Sequence, residues 1–171
     1  CGFWFSLLGA VLMGALAGTI LGLPTIRLRG DYLAIVTLGF GEIIQDSMKN
    51  LESITKGIQG ITPLPSPTVF GYEFSTSADI PWYYLNLALL SIAVLFVRNL
   101  ELSRIGRSWI AIREDELAAT CMGINSVRYK LLAFATGAAL SSLAGALWAT
   151  HLGSSGEPGN YDFQISIIAL C

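Results

Sequence analysis

The sequence predicts an all-α fold, a polytopic transmembrane helical bundle, on three observations. Of 171 residues, 53% are hydrophobic and only 13% are charged, against about 25% charged in an average soluble domain. Residues 2–23 carry no charge at all, and about 20 apolar residues cross a bilayer as a helix. The charges that do occur gather in residues 104–125, between apolar runs at 82–97 and 127–150. The expectation is about four spans, at 2–23, 32–45, 82–97 and 127–150, plus the start of another at 163–170. All belong to one transmembrane domain over 1–171. A chain that starts and stops inside apolar runs reads as the central part of a longer one.

The first run, 2–23, is too long for a secretory leader and lacks the basic start that a leader has. Ala10, Gly14, Gly18 and Gly22 recur every fourth residue. Small residues at that spacing let helix backbones approach closely within a bilayer, so this face packs on another helix. Pro24 is expected to end the span, and Arg27, Arg29 and Asp31 follow it.

The run 32–44 is apolar but short, with Gly39 and Gly41 in its middle and Glu42, Gln45 and Asp46 at its far end. It either crosses the membrane or forms a broken helix lining a protein-walled cavity, where irregular backbone is tolerated. Thr37, Gly39, Gly41 and Glu42 are the candidates for lining a translocation path. An ionisable group at membrane depth is functional by default; a Glu42 solvated among headgroups is the equal alternative.

Residues 49–81 are polar and rich in proline, with Pro63, Pro65 and Pro67. They read as an extramembrane loop with one short helix. Trp82, Tyr83 and Tyr84 open the next span as an interfacial aromatic belt. In the charged loop, Asp115 can cap a short helix, Glu116 suits its positive end, and Gly123 can close it in the left-handed conformation. The last complete span, 127–150, can be capped by Asn125 or Ser126. Arg128 and Lys130 snorkel at its start, and Gly137, Ser141 and Gly145 repeat the small-residue spacing. A short polar loop, 151–162, follows.

Charge sets the orientation. Arg98, Arg104, Arg107, Arg113, Arg128 and Lys130 cluster around one loop, which is therefore cytoplasmic, and 49–80 lies outside. Arg27 and Arg29 join the cytoplasmic side if 32–45 crosses.

Several chemistries have no support. The three cysteines, Cys1, Cys121 and Cys171, have neither metal spacing nor a disulfide pattern. The single histidine, His151, has no partner pattern for a metal or a catalytic triad. No phosphate-binding loop is present, so no ATP hydrolysis is expected from this chain. No catalytic, cofactor or metal residues are assigned, and no basic patch with interleaved aromatics points to nucleic acid.

Two longer motifs resemble a known family. Gly22-Leu-Pro-Thr-Ile-Arg-Leu-Arg-Gly-Asp-Tyr-Leu-Ala-Ile-Val-Thr-Leu-Gly-Phe-Gly-Glu-Ile-Ile-Gln45 is similar to a signature of branched-chain amino acid permeases of the LivM type. So is Gly106-Arg107-x-x-x-Ala111-Ile112-Arg113-Glu114-Asp115-Glu116-x-Ala118-Ala119-x-x-Met122-Gly123-Ile124-Asn125. The segments Asn50-Leu-x-Ser-x-Thr-x-Gly57 and Gly60-Ile-x-x-Leu-Pro-x-Pro67 resemble the family's external loop. Two departures from the general importer loop, Leu117 before the alanine pair and no Ile-x-Leu-Pro after Gly123, suit the branched-chain branch.

The resemblance implies a multi-pass subunit of the bacterial inner membrane whose cytoplasmic loop is a coupling helix. Arg107, Arg113, Glu114, Asp115, Glu116, Ala118, Ala119 and Gly123 would then meet the ATPase. It also implies a homologous second permease subunit, two ATPase subunits and a periplasmic substrate-binding protein as partners, with leucine, isoleucine or valine as cargo. Relatives that carry urea, other amides or aromatic acids share the pattern. The competing class is an ATP-independent channel or secondary carrier. It would place paired ionisable residues at mid-membrane, where this sequence has only Glu42 and Asp46, both near a span end.

Overall fold

The structure is a computed structural model and describes residues 2–26, 31–50, 68–69, 72–73 and 79–153. Its elements are α1 (Phe3–Thr25), α2 (Asp31–Asn50), β1 (Thr68–Val69), β2 (Tyr72–Glu73), α3 (Asp79–Leu102), α4 (Arg104–Glu114), α5 (Glu116–Cys121) and α6 (Ser126–Leu152). Three helices are long and apolar enough to cross a membrane: Phe3–Thr25, Ile80–Leu102 and Ser126–Leu152.

Helix α2 does not join those three. Its length of 20 residues would suffice, but Glu42, Asp46 and Lys49 interrupt its second half. Asp46 and Lys49 pair at 3.5 Å, the acid exposed and the lysine partly so. The possibility of a broken helix is also corrected, because α2 runs unbroken through Gly39 and Gly41. Each glycine weakens a helix by about 1 kcal/mol relative to alanine, which does not interrupt a ladder of this length. Composition alone thus qualifies three of the four expected spans and does not exclude a crossing by α2; the further start at 163–170 lies outside the described residues.

Pro24 does not stop α1 at once. The helix continues to Thr25, where the Ile26 N–H still reaches the Gly22 carbonyl at 3.0 Å. Pro24 has no N–H to offer the Ile20 carbonyl, and the helix ends one residue after it. The Thr25 hydroxyl donates to the carbonyls of Leu21 and Gly22, so this 2% exposed residue has no unsatisfied hydroxyl. Within the expected external loop, β1 and β2 form an antiparallel pair with Val69 opposite Tyr72. The short helix expected there lies outside the described residues.

The bundle is organised around α1 and α6, which run antiparallel. Gly22 faces Leu131 and Phe134, Gly18 faces Phe134 and Ala138, and Gly14 faces Ala138 and Ser142. At the other end Phe3 and Leu7 pack with Leu147, supported by Leu85 and Leu89 of α3. Contact is this close only because the α1 positions lack side chains. A β-carbon at Gly18 would sit 2.5 Å from that of Ala138, and one at Gly14 would collide with the Ser142 hydroxyl. On α6 the facing residues are Ala138 and Ser142. A β-carbon at Gly137 or Gly145 would meet nothing within 4 Å, and Ser141 is exposed. Leu12, Leu16 and Ile20 are exposed on the outer side of α1, as expected where lipid, not water, is the solvent.

At the far end of α3 and α6, Trp82 is buried and its ring meets His151 edge-on at 5.1 Å. Tyr83 and Tyr84 remain exposed beside it. Gly153, at φ +69°, closes α6.

Candidate functional site

Between α3 and α6 the chain builds an elbow from two short helices. Ser103 ends α3 and starts α4: its hydroxyl accepts from the Ile105 N–H at 3.1 Å and the Gly106 N–H at 3.4 Å. The turn is tight enough that a side chain at Gly106 would collide with the backbone of Glu101. Glycine is required there by close approach.

Asp115 is the hinge residue. It is extended, at φ −153° and ψ 111°, and its N–H still donates to the Ala111 carbonyl at 3.1 Å. Its carboxylate accepts from the N–H groups of Leu117 at 2.8 Å and Ala118 at 3.1 Å. It thus ends α4 and caps α5, satisfying donors that a helix start leaves unpaired. The other end of α5 is closed by two backbone bonds, Gly123 N–H to Thr120 O at 3.0 Å and Ile124 N–H to Ala119 O at 3.1 Å. These are the paired bonds of a Schellman turn, which needs a left-handed residue. Gly123 supplies it at φ +85°. Both caps read from the sequence are in place.

Two contacts fix the elbow to α6. The Trp109 indole N–H donates to the Tyr129 carbonyl at 2.7 Å. Lys130 pairs with Glu116 at 2.7 Å, with both side chains partly exposed. Neither anchor was identified from the sequence. A tryptophan inside a charged loop was the available signal, since an indole N–H away from water must find an acceptor.

The structure divides the expected coupling residues. Arg107, Arg113, Glu114, Asp115 and Ala118 are exposed, as is Gly123. Glu116 is turned toward Lys130. Ala119 is only 4% exposed and faces its own chain, so it does not share an outward surface with Ala118. The outward face carries instead Leu117 at 74% and Met122 at 83% exposure, with the exposed thiol of Cys121 beside them.

The path candidates divide likewise. Thr37 and Gly41, one helical turn apart, line a cavity of about 480 Å³ between α1, α2 and α6, together with Gly18, Phe134 and Gly137. Gly39 and Glu42 lie off that face of α2. Among the described residues, no three acids, histidines or cysteines group as a metal site.

The family described as "branched-chain amino acid transport system / permease component" matches residues 1–171, the whole chain. The chain belongs to this family. The high-affinity branched-chain amino acid transport system permease protein LivM of Escherichia coli K12 is 42% identical over 99% of the chain and 44% of its own length. The probable LivM permease of Methanocaldococcus jannaschii is 25% identical over 83% of the chain and 40% of its own length. The E. coli K12 permease LivH is 34% identical over 58% of the chain and 34% of its own length. The chain therefore spans less than half the length of these relatives. No solved structure matches it. The relatives named here are transport permeases. Membership in a permease family, together with three helices among the described residues long and apolar enough to cross a membrane, makes it a multi-pass membrane protein.

Proposed function

We infer that the chain forms part of the translocation path of an ATP-driven importer for branched-chain amino acids, in a bacterial inner membrane. The elbow α4–α5 receives force from the ATPase subunits. A homologous second permease forms the other half of the path, two ATPases hydrolyse the nucleotide, and a periplasmic binding protein delivers substrate. The observation that carries the coupling role is α5 itself. It is short, capped at both ends, fastened to α6, and presents Leu117 and Met122 outward at the arginine-rich end of the bundle. Exposed apolar side chains on a rigid polar loop are what a protein partner buries at the centre of an interface. The fastening matters as much. Displacement of α5 passes through Glu116–Lys130 and Trp109–Tyr129 to α6, and α6 is packed along α1.

The test is co-purification of the ATPase with the permease, alongside uptake in vesicles. Leu117→Asp combined with Met122→Asp is expected to lower ATPase retention at least about tenfold, equivalent to about 1.4 kcal/mol. Uptake should be lost while membrane insertion is unchanged. Undiminished retention would mean that another surface receives the ATPase.

Orientation has its own check. In a permease with every other cysteine, Cys1 and Cys171 among them, changed to Ser, Cys121 is the remaining thiol, and it is exposed on the elbow. An impermeant thiol reagent should label it only after the membrane is opened. Labelling from outside intact cells would reverse the topology argued from the arginines.

A further inference from the structure

The cavity between α1, α2 and α6 has an unusual floor. Gly41 of α2 and Gly137 of α6 both line it, and a β-carbon built on either meets nothing within 4 Å. Gly14, Gly18 and Gly22 are different, because close helix contact requires them. A glycine inside a helix costs stability relative to alanine, and packing within the chain does not offset that cost at 41 or 137. What the two glycines share is the open volume in front of them. That volume, about 480 Å³, falls within the range of small-molecule sites. Its walls are apolar, from Phe40, Ile44 and Phe134, with Thr25 and Thr37 as polar edges and no charged residue in the lining. Such a space accepts an uncharged aliphatic group and offers nothing to an ammonium or a carboxylate.

The geometry points to this cavity as the place where the permease receives the aliphatic side chain of its amino-acid substrate, with Gly41 and Gly137 setting the size that passes. This rests on the transport reading above and adds to it the location and the specificity residues. The substrate's charged ends are held elsewhere. Bulk at either glycine should narrow the cavity without separating α1 from α6, whose contact runs through Gly18, Ala138 and Phe134.

The test uses the complete transporter in vesicles, with valine and leucine each presented on saturating binding protein, so that only passage differs. Gly137→Val and Gly41→Val should slow leucine relative to valine by about tenfold, the discrimination that one methylene commands in a tight apolar pocket. Gly9→Val, at a glycine with equally open surroundings that does not line the cavity, should leave the ratio unchanged. If the valine variants do not assemble, Gly137→Ala and Gly41→Ala should move the ratio in the same direction by less. An unmoved ratio in assembled variants overturns the inference. So does failure of both alanine variants to assemble, because another helix would then fill the space. A wild-type transporter that moves neither amino acid removes the transport reading, and this inference with it. An active wild type with an unmoved ratio removes this inference alone.

Discussion

Gly18→Leu is expected to abolish assembly of the permease, with almost no protein recovered in the folded complex, while Leu12→Ile leaves the yield unchanged. Even a methyl group at 18 would lie 2.5 Å from the Ala138 β-carbon and 2.7 Å from the Phe134 carbonyl oxygen. The second contact is with backbone, which cannot rotate out of the way, so α1 and α6 must separate. Overpacking a well-packed interior costs about 1–3 kcal/mol when side chains can shift, and here the shift has to come from a whole helix. Helix association in a bilayer depends on close packing and not on hydrophobic burial. Separation along this seam therefore removes the main contact in the chain. Leu12 is 65% exposed on the outer side of the same helix, and an isomeric side chain facing lipid has little to lose. Size-exclusion profiles of the two variants in mild detergent decide the matter. A normal profile for Gly18→Leu would show that the seam is not required.

What the sequence disclosed here was mostly local. Asp115 and Gly123 are legible as caps because capping involves only neighbouring backbone groups. The spans at α1, α3 and α6 are legible because a bilayer demands unbroken apolar length. Four things were not legible, each for a physical reason. The small residues of α6 form two interleaved series, Gly137–Ser141–Gly145 and Ala138–Ser142. They sit one residue apart, about 100° around the helix, and spacing alone cannot say which faces the partner; the structure places Ala138 and Ser142 against α1. The length of α2 was underestimated because its charged end remains helical through Asn50. The orientation of α5 depends on contacts from Trp109 to Tyr129 and from Glu116 to Lys130, which join residues far apart in sequence. The same limit hid the cavity: Thr37 and Gly41 were visible as candidates, but Gly137 joins them only through the fold.

Because α5 has a distinct inner and outer face, its two alanines should respond differently to the same substitution. Ala118→Trp is expected to leave the permease folded and inserted but to abolish uptake and release the ATPase. The residue is exposed and lies between Leu117 and the Ala119 that turns inward, so an indole there holds a partner surface away without disturbing the elbow. Ala119→Trp is expected to damage the permease itself. Ala119 is 4% exposed, and its carbonyl accepts the Ile124 N–H that closes the Schellman turn. An indole at a site sized for a methyl group must push α5 off its support, by about 1–3 kcal/mol or more. That should loosen the link from Lys130 to Glu116, which as a partly exposed ion pair contributes at most about 1 kcal/mol and cannot hold the helix alone. The two outcomes separate in one measurement, protease sensitivity of the elbow in detergent-solubilised permease without ATPase. Ala119→Trp should be cleaved faster than wild type around residues 114–124, and Ala118→Trp at the wild-type rate. ATPase retention and uptake should be lost in both. If Ala118→Trp retains the ATPase and transports normally, the outward face of α5 is not the surface through which the importer is driven, and the coupling role proposed for the elbow fails with it.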